Sequence, residues 1–218
     1  RVPGPKPEAS RFGPMESDMT VMERKPTSQP TASTRESLPR LTPKDELRAR
    51  ARKRVMEGAV TANYDLDPKQ VIEMLQGALA TELVCVLRYK RHYYVAKGIK
   101  ARFAATEFLE HATEEMNHAD RLAERIVQLG GEPDLDPDGL SERAHAQYHA
   151  GTEITEMITE DLVAERIAIE SYREMVQFIG DHDPTTRTLL EEILASEEEH
   201  ADDLTDLLEG EPKAPPQG

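Results

Sequence analysis

Four stretches of this chain place apolar residues at alternating steps of three and four, the rhythm of a helix with one buried face. The first runs through Ile72, Leu75, Leu79, Glu82, Val86, Tyr89 and Tyr93, and the second through Phe108, His111, Glu115, His118, Leu122, Ile126 and Leu129. The third holds Ile154, Ile158, Asp161, Glu165, Ile169, Tyr172, Val176 and Ile179, and the fourth Leu190, Leu194, Glu197, His200 or Ala201, Leu204 and Leu208. Asp67-Pro68 and Asp183-Pro184 supply a cap followed by proline at the first helical position, which starts helices one and four. Gly98, Gly130-Gly131 and Gly180 mark three ends, and the fourth helix runs out near Glu209. Between helices two and three, Glu132 to Gly151 breaks the rhythm with Pro133, Pro137 and Gly139. That length can return the chain along a whole bundle, and within it Leu140 to Ala150 can form a small helix. The pattern predicts an all-α fold, a four-helix bundle with a long crossover between helices two and three.

Each stripe carries residues that do not belong in an apolar core. Glu82, Glu115, His118, Glu165, Glu197 and His200 all fall on buried faces. Four buried carboxylates without partners would cost several kcal/mol each, so the bundle has to neutralise them. Two divalent cations bring four positive charges against those four negatives. One Glu from each of two helices plus Glu-x-x-His from the other two is the ligand set of a di-metal carboxylate centre. Mixed carboxylate and imidazole donors suit iron, then manganese, with zinc also compatible. A single Glu-x-x-His in so acidic a chain is more simply a solvated helix face. Two of them, each preceded by a buried Glu in the partner helix, are harder to reach by chance. The spacing also repeats: Glu82 to Glu115 is 33 residues, Glu165 to Glu197 is 32, and Tyr89 and Tyr172 each follow their Glu by seven.

Outside the stripes the chain divides by charge. Residues 1–64 hold 13 Lys or Arg against 8 Asp or Glu, while residues 65–218 hold 14 against 34. A basic arm of net +5 is thus joined to an acidic body of net -20. The first 40 or so residues are crowded with Pro, Ser and Thr and lack an apolar period, which predicts disorder. Residues 43–58 gather Lys44, Arg48, Arg50, Arg52, Lys53 and Arg54 behind Thr42-Pro43, a short basic helix or a solvated linker. The organisation expected is therefore an arm over 1–64, a bundle over 65–209 and a flexible tail over 210–218. No apolar run approaches a membrane span and no signal-peptide pattern appears, so no membrane partner and a cytoplasmic location are expected. Cys85 is the only cysteine, which leaves no internal disulfide and argues against a rubredoxin-like appendage with two Cys-x-x-Cys pairs.

The stretch Glu114-Glu115-Met116-Asn117-His118-Ala119-Asp120-Arg121, with its downstream partners, resembles bacterioferritin and related ferritin-like di-iron proteins over about residues 68–208. The resemblance implies a ferritin-like bundle with two iron ions per subunit. Iron storage and detoxification follow from it: Fe(II) is oxidised by oxygen or hydrogen peroxide at a ferroxidase centre and mineralised inside a homo-oligomeric shell. In that reading the four Glu bind and bridge the irons, and His118 and His200 each cap one. Tyr89 stands beside the centre, where it can supply an electron or hydrogen-bond a bridging Glu. Asp161 matches an acid that orients a ligand histidine, and Glu110, His111 and Glu114 can feed iron to or from the centre. Met116, directly after Glu115, stands where bacterioferritins ligate a shared haem b with one methionine from each of two subunits; packing is its plainer role. The chain departs from bacterioferritin in lacking room for a fifth helix after His200. With the crossover helix, this leans toward a Dps-like shell of twelve rather than 24 subunits around a bacterioferritin-type centre. Two other classes stay open. One is a DNA-protecting nucleoid protein using Arg48, Arg50, Arg52, Lys53 and Arg54 on phosphates. The other is a di-metal oxidase or manganese catalase with the same ligands.

Overall fold

The computed structural model describes residues 41–61, 63–98 and 101–210, together with Gly4. The chain divides at residue 42: residues 43–218 form one compact unit, and residues 1–42 lie almost wholly outside the described residues. The expected disorder of the first 40 residues and the expected flexible tail after Gly210 fall outside them as well. Six helices and no strand appear among the described residues: α1 (Lys44–Lys53), α2 (Pro68–Val95), α3 (Ala101–Gln128), α4 (Leu140–Arg143), α5 (Ile154–Ile179) and α6 (Pro184–Gly210). The fold is all-α, with α2 packed chiefly on α3 and α5 on α6.

The caps act where the sequence puts them. Asp67 accepts a hydrogen bond from the Lys69 backbone N–H at 3.0 Å with Pro68 at the first helical position of α2. Asp183 caps α6 through the Thr186 N–H at 3.0 Å, and its carboxylate also receives Arg125 from α3 at 2.8 and 3.0 Å and the Tyr64 hydroxyl at 2.9 Å. One carboxylate thus ties the start of α6 to the end of α3 and to the segment before α2. Val60 and Tyr64, which the sequence placed in the arm, pack against the core at this end of the bundle.

The core is two apolar clusters separated along the bundle. One holds Leu75, Leu79, Leu122, Ile126, Tyr172 and Leu190, the other Cys85, Tyr89, Phe108, Ile158 and Leu204. On all four long helices the Glu and His positions lie between residues of the two clusters. The polar centre is therefore closed off from both ends by side chains that each contribute about 1.5–3 kcal/mol on burial.

The crossover runs the length of α2. Gln76 holds the Glu132 carbonyl at 2.7 Å and the Asp134 N–H at 3.0 Å, the Thr81 hydroxyl accepts from the His145 N–H at 2.9 Å, and Arg88 donates to the Gln147 carbonyl at 3.1 Å. Near its end, His92 Nε2 lies 3.1 and 3.0 Å from the His149 and Ala150 carbonyls. This corrects the expected helix over Leu140 to Ala150: only α4, a single turn, forms. Ala144 is extended and no helix follows it before Gly151, and side chains of α2 occupy the backbone groups that a helix would have paired internally. At Gly151 a positive φ of 61° turns the chain toward α5, where a Cβ would stand 2.6 Å from Met157 Cγ.

One expectation from composition needs revision. By length and composition α2 is apolar enough to cross a membrane, although no apolar run signalled it. In the fold it is the central helix, with Val71, Leu75, Leu79, Val86 and Tyr89 buried against the core and with Glu82, Arg88 and His92 buried beside them.

Candidate metal centre

Glu82 comes from α2, Glu115 and His118 from α3, Glu165 from α5, and Glu197 and His200 from α6, and all six are buried. They form two groups, Glu82, Glu115, His118 and Glu197 in one and Glu115, Glu165, Glu197 and His200 in the other. Within each group the ligand atoms lie within 4.8 Å of one another, close enough to hold a metal ion. Glu115 and Glu197 belong to both groups and divide their oxygens between them. His118 Nδ1 is 3.5 Å from Glu115 Oε2 and 3.0 Å from Glu197 Oε1, whereas His200 Nδ1 is 3.6 Å from Glu115 Oε1 and 3.3 Å from Glu197 Oε2. Glu82 Oε2 faces only the His118 side, at 3.4 Å, and Glu165 Oε2 only the His200 side, at 3.9 Å. The arrangement has two terminal carboxylates, two shared ones and one imidazole per side.

The unpartnered atoms mark the ligand positions. Glu82 Oε2, Glu115 Oε1, Glu165 Oε2, both oxygens of Glu197, and Nδ1 of His118 and of His200 are buried without a hydrogen-bond partner. Each such atom costs about 1–3 kcal/mol if left unsatisfied. All of them point into the two groups, where hard or borderline cations would take them up.

The electrostatics agree. Burial and the neighbouring Glu115 charge push the Glu82 carboxyl up to about 8, and burial with Glu115 and Glu197 holds Glu165 well above the usual carboxylate range. For Glu115 and Glu197 burial acts upward too, but the attraction of both neighbouring histidines outweighs it and leaves them below their ordinary value. His118 and His200 are pushed up to about 12 because the surrounding carboxylates overcome the downward pull of burial.

The remaining sequence candidates sort by contact. Tyr89 donates to Glu165, the carboxylate on the His200 side. Tyr172, noticed in the sequence only for its spacing, donates to Glu82. Each tyrosine follows the Glu of its own helix by seven residues and binds the Glu of the other. Glu114 accepts from His200 Nε2 at 2.6 Å and so turns Nδ1 toward the centre. Asp161 does not reach a ligand histidine: its oxygens take Arg88 Nε at 2.6 Å and His92 Nδ1 at 2.7 Å. The reason is its place one turn from Glu165, level with Arg88 and His92 of α2. Arg88, buried at 1 % exposure, and His92 carried no signal in the apolar stripe. Met116 is on the outer face of α3, 38 % exposed, and Glu110 is exposed as well. His111 is buried with its ring stacked on His200, centroids 4.1 Å apart, and burial, then His200, lowers it to about 4. Of the basic residues, Arg48, Arg50 and Arg54 pair with Asp45, Glu46 and Glu57 in exposed contacts worth little. Arg52 and Lys53 make no ion pair among the described residues.

Residues 72–213 match the family model of the ferritin-like domain. The chain belongs to the ferritin-like family. It is 34 % identical to the bacterioferritin of Brucella melitensis over 139 residues, covering 62 % of this chain and 80 % of that protein. The DNA protection during starvation protein of Pyrococcus furiosus is 32 % identical over 151 residues, 67 % of this chain and 81 % of its own. A solved relative, described as a dodecameric thioferritin and bacterioferritin-related protein from Bacteroides fragilis, superposes with a TM-score of 0.64 at 37 % identity, covering 66 % of this chain and 87 % of that one. The likeness to bacterioferritins supports a role in iron storage within this family.

Proposed function

We propose that this protein is a ferroxidase and iron store, oxidising Fe(II) at the centre formed by Glu82, Glu115, His118, Glu165, Glu197 and His200. The observation that carries the proposal is the pair of shared carboxylates, Glu115 and Glu197, each presenting one oxygen to each side. Two Fe(II) ions held this way each give one electron to oxygen or hydrogen peroxide. The chain's part is to hold the pair at one spacing, to neutralise the growing positive charge with carboxylates, and to exclude water with the apolar clusters on either side. Tyr89 and Tyr172 fix Glu165 and Glu82 by hydrogen bonds, and Glu114 fixes His200. The product Fe(III) is kept soluble inside a shell of identical chains, with twelve subunits favoured because a related protein is described as dodecameric. The proposed location is the cytoplasm. The test is stopped-flow oxidation of added Fe(II) by the wild-type protein and by a Glu115→Ala/His118→Ala variant. The variant should lose the fast phase, and an unchanged fast phase refutes the assignment. Native mass measurement tests the shell, and a small, non-storing oligomer would favour a di-metal oxidase or a manganese catalase. A 24-subunit particle whose haem absorbance is lost on Met116→Leu would make bacterioferritin the better description.

A second reading has its own observation. Helix α1 has no buried residue and carries Arg48, Arg50, Arg52 and Lys53, with Arg54 just beyond it, and a relative is named for DNA protection. We propose that the arm binds DNA phosphates, many copies acting together around the shell. Deleting residues 1–64 should abolish low-salt DNA binding and spare iron oxidation. Equal DNA affinity with and without the arm would leave this segment a linker.

A further inference from the structure

One turn beyond the six-residue centre, the same two antiparallel helices bring together another set of donors. Moving toward the start of α3 from Glu115 reaches His111 and Glu107, and moving toward the end of α6 from His200 reaches Asp203. The donor atoms of these three lie within 4.8 Å of one another. His111 Nε2 is 3.5 Å from Asp203 Oδ2 and 4.0 Å from Glu107 Oε2. Ligands held at about 2.1 Å from one ion stand about 3–4 Å apart, so the two distances from His111 Nε2 fit around one cation.

His111 is the independent observation. It is 2 % exposed, and neither of its ring nitrogens has a hydrogen-bond partner. A buried imidazole with two idle nitrogens is costly as a packing residue, and a Leu would fill the space without that penalty. Its Nε2 is directed at two carboxylates that, among the described residues, pair with no Lys or Arg. The side chains of Glu107 and Asp203 are 32 % and 47 % exposed, so the cluster is open to solvent on the side away from His200.

We infer that Glu107, His111 and Asp203 form a third, mononuclear site for a divalent first-row cation, separate from the two-metal centre and joined to it by the stacked rings of His111 and His200. Two carboxylates balance the charge of such an ion, and one imidazole with two oxygens suits Fe(II), Mn(II), Co(II) or Zn(II). The open side leaves positions for water, as in a site that exchanges its ion. The inference does not require the centre to be a ferroxidase.

Co(II) is the probe. Crystals of the full chain soaked in Co(II) and measured at the cobalt edge should show an anomalous peak within bonding distance of His111 Nε2, besides those at the six-residue centre. Equilibrium dialysis should show about one Co(II) fewer per chain for His111→Ala, and the same loss for His111→Gln and for Asp203→Asn. Three variants guard against one that misfolds, and thermal melts identify it. In the Glu115→Ala/His118→Ala protein the third peak should persist. Absence of that peak in wild-type crystals whose central sites are filled overturns the inference, as does a third ion that survives all three substitutions. If the central sites stay empty while the third fills, the ferroxidase reading fails and this site stands.

Discussion

The protonation of the six ligands makes loading the centre a proton-releasing event. With no metal bound, His118 and His200 lie near 12 and are charged at pH 7. Glu82, near 8, holds its proton at pH 7, and Glu115 and Glu197, below their ordinary value, are ionised. Glu165 is raised well above its ordinary value. Metal ligation needs neutral imidazoles and four carboxylates, so the protons of both histidines and of Glu82 have to leave, together with any that Glu165 still holds. Loading at pH 7 should thus release about three protons per chain or more. Because each raised group binds its proton until the pH passes its raised pKa, affinity falls with acidity. Below pH 7 the apparent constant for the pair should drop by about 10³-fold per pH unit or more, and above pH 8, with Glu82 already ionised, about tenfold less steeply. Calorimetry with Zn(II), which has no redox chemistry, in buffers of different protonation enthalpy gives the proton count directly. Release of two or fewer protons would mean that the histidines are neutral before metal arrives, and the proton-release reasoning would fail.

Other consequences follow from individual contacts. Asp183→Ala removes the α6 cap and leaves the Arg125 guanidinium buried without its partner, so urea unfolding should show a loss of about 3–5 kcal/mol. Burial raises the Asp183 carboxyl, but bonds from Thr186, Arg125 and Tyr64 bring it below its ordinary value; its contribution is present above about pH 4 and should fade as the pH falls through the lowered value. Glu114→Gln should loosen the His200 side of the centre by about tenfold in Zn(II) affinity, leaving the His118 side unchanged. Asp161→Ala strands Arg88 and His92 and should cost about 3–5 kcal/mol. Limited proteolysis should then cut between residues 144 and 151, whose carbonyls those two side chains hold.

The bundle and the convergence of the six residues were legible because both follow from one signal, the helical period. A charged residue inside an apolar stripe must face other helices, and four such stripes can meet in one place only. The caps were legible for a similar reason, since Asp-Pro followed by an apolar period specifies a helix start from neighbouring residues alone. Even the reciprocal tyrosines left a trace in their equal spacing. That each binds the Glu of the opposite helix depends on how α2 and α5 face one another, which no periodicity records.

What stayed hidden lies on the second face of α2. A stripe reports only the side turned to the other long helices, but the crossover covers a further side and buries residues that read as solvent-facing. Arg88 and His92 are the result: between them stands Tyr89 of the stripe, yet both are as buried as it is. Their polar ends replace the helix that the crossover would otherwise have formed, holding the carbonyls of Gln147, His149 and Ala150. Asp161 was misread by the same omission. Set on an apolar stripe one turn from Glu165, it looked like a partner for a ligand histidine, because the only buried cations visible in the pattern were at the centre. The buried acid instead completes the attachment of the crossover. A buried charge on a helix stripe therefore identifies the need for a partner, and only the path of the loops decides which partner meets it.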